Sequence, residues 1–318
     1  MTQKNIVDNF TNQLTKEVSP RAKSLIITFV GDVVYPFGGT IWLGSLIKFM
    51  EDFGLNDKLT RTSIFRLTKE GWLSAKKIGR ESYYSLSDLA IDRFKKAHYR
   101  VYAYDAYSEE KNKDWLTLLT HHLEDKKETE LSKKLKKEGF ASPSKHLYLH
   151  PNYDFEHLKN LLIKDDLQNS VFLLKGSLKM PINKELVKQS ISSYWDMGKV
   201  EEKYEAFLTR FRKVYTLKTP LANFSPRQSF ILKTLLIHEY RRALLNDPNL
   251  GDDMVNIDWL GKSTASLVED IYLNIESNAN EYIKENFINM GRSEPKLSDF
   301  YYNRFGGIAN TLRQEKGE

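Results

Sequence analysis

Basic side chains at regular intervals are the groups in this chain best suited to chemistry, and that chemistry is the recognition of anions. Between Asn56 and Leu86 stand Lys58, Arg61, Arg66, Lys69, Lys76, Lys77 and Arg80, against three acids, Asp57, Glu70 and Glu81. Guanidinium forks match both phosphate oxygens and the O6/N7 edge of guanine, whereas an ammonium group acts as a point charge toward phosphate. At about 100° per residue, Lys58, Arg61, Thr62, Phe65 and Lys69 cluster on one side of a helix, with Arg66 at the border. Leu59, Ile64 and Leu67 fall on the other side and are expected to face a core. The reading is a DNA-binding face in which Arg61 and Arg66 meet guanine edges or phosphates. Lys58, Thr62 and Lys69 complete it, and Lys76, Lys77 and Arg80 touch phosphate or the minor groove. A solvated basic face is the bland alternative. Phe65 is read as packing under the ribbon that follows the helix, with contact to a thymine methyl as the less favoured use.

A second cationic set, His238, Arg241 and Arg242, is spaced i, i+3 and i+4 and so shares one helical face. Three such groups repel one another unless an anion sits among them. The functional reading is a pocket for an effector bearing phosphate or carboxylate. The structural alternative is pairing with acids such as Glu239 or Asp247. Enzymatic chemistry finds little support. The chain has no cysteine, which removes disulfides, thiol nucleophiles and cysteine-based zinc sites. His238-Glu239 begins a zinc-protease pattern, but Arg242 stands where its second histidine is required. There is no GxxxxGK[ST] loop, no GxGxxG after a strand and no GxSxG elbow. We expect no enzyme, no metal site and no resident cofactor.

These residues need elements to hold them. Asn56 can cap a helix that Gly71 stops. Trp72-Leu73 and Tyr83 to Leu86 are strand-like, with Gly79-Arg80 as the turn between them. Upstream, Ser24 to Val34 is an apolar run of helical length. Tyr35 to Gly39 is a turn cluster, and Thr40 is expected to cap a helix over Ile41 to Phe53 that Gly54 ends. Two helices, then a third and a hairpin, outline a winged helix-turn-helix over residues 23–103, after an N-terminal arm at 1–22 that Ile6, Phe10 and Leu14 mark as a short helix or a mobile arm. Residues 112–177 alternate in type. Strands are expected at Trp115–Thr120, His146–His150 and Ser170–Lys175, and helices at Lys126–Glu138 and Asp154–Leu162. That suggests a small ferredoxin-like α+β domain with one strand unplaced. Residues 178–318 read as an all-helical domain for effector and dimer contacts. Its helices are expected at Ile182–Trp195, Val200–Val214, Ser225–Leu245 and Ser263–Phe287. Ser225 with Pro226 behind it is a strong helix start. The fold class is α+β.

The net charge of +6 is localised: residues 1–100 hold 16 basic and 10 acidic side chains, and the rest of the chain 32 of each. Attraction to a polyanion therefore resides in the N-terminal third. No stretch approaches the length of a membrane span and no signal peptide is evident, so a cytoplasmic location is expected.

The ordered motifs resemble the PaaX family of bacterial transcriptional repressors of phenylacetic acid degradation. They are Gly39 to Leu46, Arg61-Thr62, Phe65-Arg66-Leu67, Glu70-Gly71-Trp72-Leu73, Ile78-Gly79-Arg80 and Tyr84-Ser85-Leu86-Ser87. Further along they are Trp115, Gly139-Phe140, His238 to Arg242, Asp247-Pro248 and Asp258-Trp259-Leu260-Gly261. The resemblance implies a repressor released from operator DNA by phenylacetyl-coenzyme A or a related acyl-coenzyme A. The whole reading is a cytoplasmic homodimer on near-palindromic double-stranded DNA, without membrane association. The alternative is a helical interaction module whose winged helix binds a protein partner.

Overall fold

The computed structural model describes residues 3–102, 114–151, 153–177, 192–248, 250, 255 and 258–308. The chain forms two compact units, one of Met1–Tyr104, Glu205–Leu244 and Gly261–Glu318, the other of Asp105–Tyr204 and Leu245–Leu260. It is α+β, with two small antiparallel sheets.

In the first unit, α1 (Gln3–Val18) buries Val7, Leu14 and Val18. Of the two readings of the N-terminal arm, the helix is the one found, with a core face. Helix α2 (Ala22–Phe29) continues as one π-helical stretch, Val30–Val34, and all of Val30 to Val34 is buried. Glycine is required there: a Cβ on Gly31 would stand 1.9 Å from the Phe94 ring. Thr40 does not cap a helix. Ile41–Trp42 is instead a short strand, β1, opposite Tyr84 and Tyr83, and α3 begins after it (Leu43–Glu51). Local pattern cannot reveal that pairing, because it depends on a strand 40 residues downstream. Helix α4 (Asp57–Lys69) follows, then β2 (Leu73–Ile78), β3 (Glu81–Leu86) and α5 (Asp88–Tyr102). The sheet order is β1-β3-β2.

The second unit contains β4 (Asp114–Thr120), α6 (Asp125–Lys137), β5 (Ala141–Ser144), β6 (Leu147–Pro151), α7 (Phe155–Lys164) and β7 (Val171–Ser177). Its sheet order is β5-β6-β4-β7. The strand unplaced by sequence is β5, whose Ala-Ser-Pro-Ser composition has little strand preference and which exists by pairing with β6. One face of this sheet buries Leu116, Leu118 and Tyr148 with Leu131, Leu135, Leu158 and Leu162 of the two helices.

Helix α8 (Met197–Phe211) starts three residues before the expected Val200. Of the helix expected at Ile182–Trp195, residues 182–191 lie outside the described residues, and 192–194 are helical. Helices α9 (Pro226–Leu244) and α10 (Leu260–Asn286) complete the chain before a short turn of helix at Asp299–Tyr302. Ser225 opens α9 as a reciprocal cap: its N–H donates to Gln228 Oε1 at 2.8 Å, and its Oγ accepts from the Gln228 N–H at 3.4 Å.

The N-terminal elements and the C-terminal helices, expected as separate domains over 23–103 and 178–318, share the first unit. The cause is aromatic. Phe230 of α9 lies 6.1 Å from Phe29, 5.1 Å from Phe49, 5.6 Å from Phe53 and 5.2 Å from Tyr282, ring centre to ring centre. Helix α9 is buried on almost every side, its polar Gln228, Lys233 and His238 included. A polar cluster reinforces the core. The fully buried Arg304 donates to Asp32 Oδ1 at 2.9 Å, to the Asp32 carbonyl at 3.0 Å and to the Tyr272 hydroxyl. Tyr102 donates to the same Asp32 carboxylate.

Candidate nucleic-acid interface

Helix α4 owes its position to its ends and its narrow apolar stripe. Asn56 Oδ1 accepts from the Leu59 N–H at 2.9 Å. At the other end Gly71 takes φ +75°, and the Trp72 N–H bonds the Leu67 carbonyl at 2.9 Å. These are the cap and the left-handed stop expected of the sequence. The buried stripe is Thr60, Ser63, Ile64 and Leu67. Leu59 lies about 90° from its centre on a 100° wheel and is 44% exposed. Its assignment to the core fails because small Thr60 and Ser63, not Leu59, let α4 approach its neighbours.

The opposite face is open. Lys58, Arg61, Thr62, Phe65, Arg66 and Lys69 are all exposed. Arg61 Nε donates to Asp57 Oδ1 at 2.8 Å, and the Thr62 hydroxyl donates back to the Lys58 carbonyl at 2.8 Å. Phe65 is 70% exposed and does not pack under the hairpin. The residues that the hairpin buries are Leu73, Tyr83 and Leu86.

The hairpin extends the basic surface. Gly79 takes φ +60° between Ile78 and Arg80, a two-residue turn with glycine at the first position. Lys76, Lys77 and Arg80 are exposed along it. All three acids of the stretch have cationic partners: Asp57 with Arg61, Glu70 with Lys23, and Glu81 with Arg292. Bonds from Arg292 and then Tyr83 hold the Glu81 carboxyl below its ordinary value. The segment after α10 also grips β1. The Trp42 N–H donates to the Ile288 carbonyl at 2.8 Å, the Ile288 N–H to Ser45 Oγ at 3.2 Å and the Met290 N–H to Thr40 Oγ at 3.3 Å.

The second cationic set is less convergent than its spacing suggests. His238 is buried, and its Nδ1 lies 3.0 Å from Thr28 Oγ. Because that hydroxyl donates to the Ser24 carbonyl, Nδ1–H is the donor toward it, which leaves Nε2 an acceptor without a hydrogen-bond partner among the described residues. Burial, with Arg241 and Arg242 nearby, pushes the imidazole down to about 3. It adds no positive charge at neutral pH. Arg242 is exposed and bonds Glu239 at 2.7 Å, while Glu239 also holds Arg210 at 2.8 Å. Arg241 is half-buried, its Nε has no hydrogen-bond partner among the described residues, and burial lowers its pKa. Asp247 bonds the Tyr204 hydroxyl at 2.8 Å.

Sequence reading missed the buried polar cluster around Arg304, which also gathers Lys233, Glu276, Asn280 and Tyr301. Lys233 Nζ donates to Asn280 Oδ1 at 3.3 Å, and burial lowers its pKa. Asn280 and Tyr301 both donate to Glu276. The available signal was a charge inside each apolar helix, Asp32 in VGDVV and Lys233 in FILKTLLI. Among the described residues, no three histidine, aspartate or glutamate side chains gather as a metal site. No helix among them is long and apolar enough to cross a membrane.

Residues 21–90 match the family described as PaaX-like protein, and residues 195–285 the family described as PaaX-like protein C-terminal domain. The transcriptional repressor PaaX of Escherichia coli is 29% identical over 303 residues, 95% of each chain. A solved structure of an uncharacterised Mycobacterium tuberculosis protein has 17% identity and a TM-score of 0.44, covering 75% of this chain and 90% of that one.

Proposed function

The chain belongs to the PaaX-like family, and from that premise we propose that it is a transcriptional repressor of phenylacetate catabolism genes, released from its operator by an acyl-coenzyme A. It is a regulator and not an enzyme. The observation that carries the reading is the exposed basic face of α4 followed at once by an exposed basic hairpin. Helices α2, α3 and α4 with the β1-β3-β2 sheet support a winged helix-turn-helix. In that arrangement α4 enters the major groove and the hairpin tip reaches the flanking backbone. Arg66 is the better reader of a guanine edge, because Arg61 is already engaged with Asp57. Lys58, Thr62 and Lys69 line the same face, and Lys76, Lys77 and Arg80 hold phosphates.

The β5-β6-β4-β7 order supports a ferredoxin-like reading of the second unit. One end of the other sheet face carries exposed Leu119 of β4 and Phe172 and Leu174 of the edge strand β7, while Trp115 on the same face is covered by Met197 and Leu250; the exposed end supports a homodimer. Two copies would place two α4 helices on the half-sites of a near-palindromic operator in the cytoplasm. For the effector, phenylacetyl-coenzyme A or a relative, Arg241 is the anchor: an anion would satisfy a guanidinium nitrogen otherwise left bare. His238 orients that part of α9 through Thr28, and Arg242 is held nearby by Glu239. Release is linkage. To swing occupancy from 99% to 1%, the effector must prefer the released state by about 5.5 kcal/mol.

The test is retarded migration of the DNA upstream of the protein's own gene, and loss of that shift with micromolar phenylacetyl-coenzyme A. Arg241→Met should keep the shift and lose the release. Equal affinity for random DNA rejects a specific repressor and favours the protein-partner alternative. Specific binding indifferent to every acyl-coenzyme A rejects the effector alone.

A further inference from the structure

A large aromatic ring stands in water in the middle of the basic face of α4. Phe65 is 70% exposed, one turn after Arg61 and Thr62, beside Arg66 and one turn before Lys69. Single exposed apolar residues are common on protein surfaces, so exposure alone decides nothing. Its surroundings decide more. Thr62 has turned its hydroxyl back onto the helix, donating to the Lys58 carbonyl at 2.8 Å. Its methyl group is therefore the outward part of the side chain. Thr62 and Phe65, three residues apart, neighbour each other on the helix surface. They make an apolar strip inside a ring of cations: Lys58, Arg61, Arg66 and Lys69. An apolar protein partner would sit poorly against four exposed positive charges, whereas a polyanion satisfies them and must then offer something apolar at the centre.

The major groove of DNA offers one such group. Among the edges exposed there, only thymine presents a methyl, at C5, and aromatic and threonine side chains meet it by apolar contact. We propose that Phe65, with the Thr62 methyl beside it, determines specificity by packing on thymine C5-methyl groups at the centre of each half-site. Arg66 and the lysines then supply polar readout and charge. This inference rests on the reading of α4 as a DNA-recognition helix.

The methyl group can be removed from the DNA without touching the protein. A duplex selected from a random-sequence pool for tight binding is prepared with thymine, and then with deoxyuridine at each thymine in turn. For the full chain, loss of one contacted methyl should weaken binding about fourfold, the equivalent of burying one carbon group. The loss should be confined to one or two positions per half-site. Phe65→Ala should bind the thymine duplex at least fourfold more weakly and be indifferent to uracil at those same positions. Phe65→Leu, which keeps an apolar side chain, should retain part of the discrimination. Because Phe65 is exposed, all variants should keep the parent's thermal midpoint. Tight, sequence-selective binding that ignores uracil at every position overturns this inference alone, as does unchanged affinity for Phe65→Ala. Failure of the parent chain to select any duplex overturns the repressor reading and this inference together.

Discussion

Arg304→Met should unfold the first unit at a much lower urea concentration, because it leaves a buried carboxylate without its counter-ion. Arg304 is fully buried and Asp32 is 2% exposed. Their contact is bidentate in kind: one guanidinium nitrogen on the carboxylate at 2.9 Å and another on the backbone carbonyl of the same residue at 3.0 Å. The Tyr102 ring centre lies 4.2 Å from Arg304 Cζ and that of Tyr301 4.7 Å, so the cation is also stacked. Asp32 Oδ2 already lacks a hydrogen-bond partner among the described residues. Removing the guanidinium would leave the carboxylate with the Tyr102 hydroxyl as its side-chain donor among the described residues. Breaking a buried pair by removing one member costs about 3–5 kcal/mol. With a urea slope of ~3 kcal/mol/M, the midpoint should fall by roughly 1–1.7 M. Methionine keeps most of the apolar stem, so the loss reads charge and hydrogen bonding more than volume. The control is Asp32→Leu with Arg304→Met. Removing both charges should restore at least ~2 kcal/mol relative to the sum of the single variants, since no lone charge stays buried. The assay is equilibrium urea denaturation followed by far-UV circular dichroism and by tryptophan fluorescence. A midpoint change below about 0.3 M for Arg304→Met, or strict additivity in the double variant, would refute the argument that this pair locks the C-terminal segment to α2.

Further predictions concern charge at the interface and the buried imidazoles. Arg80→Ala should weaken binding to all DNA sequences alike and reduce the salt slope by about one unit; an unchanged slope removes Arg80 from the phosphate contacts. Arg66→Ala should cost ~1–3 kcal/mol of binding and relax preference at a single base position, read by affinity across a set of single-base operator variants. Uniform weakening would make it a phosphate contact instead. Stability should decline with acid before the carboxylates titrate. Burial with Arg241 and Arg242 holds His238 at about 3, and burial with Arg304 holds His98 at about 2. Below the unfolded value near 6.5, the unfolded chain takes protons that the fold refuses. The fold therefore loses stability as pH falls from 6.5 toward those values, by about 1.4 kcal/mol per imidazole at pH 5.5. Urea midpoints at pH 7.5 and 5.5 should differ less in His238→Gln than in the parent; equal differences would mean that His238 is accessible to protons in the fold.

Much of the candidate interface was legible because its signals are local. Asn56 caps α4, Gly54 and Gly71 stop α3 and α4, and Ser225-Pro226 opens α9, since each acts on backbone groups within a few residues of itself. Alternating strands in the second unit and the localised charge were equally readable, and so was the exposure of every basic residue singled out between Lys58 and Arg80. The errors share a cause. The helical wheel assigns Leu59 to the core and the sequence favours packing under the hairpin for Phe65, but burial depends on where neighbouring elements touch the helix, and they touch at Thr60, Ser63, Ile64 and Leu67.

What only the tertiary structure decided are the relations between distant residues. β1 is a strand because β3 pairs with it, and β5 because β6 does. The cationic triad on α9 changes character for the same reason. Burial against Thr28 makes His238 neutral, Glu239 engages Arg242, and the buried Nε of Arg241 has no hydrogen-bond partner among the described residues. Phe230 joins α9 to the N-terminal helices, and Arg304 reaches Asp32 across 272 positions of sequence. Sequence sets the chemistry that each residue carries and the local backbone it prefers. Which charges are buried together, and so which remain available to an anion, depends on desolvation by segments far away in the chain.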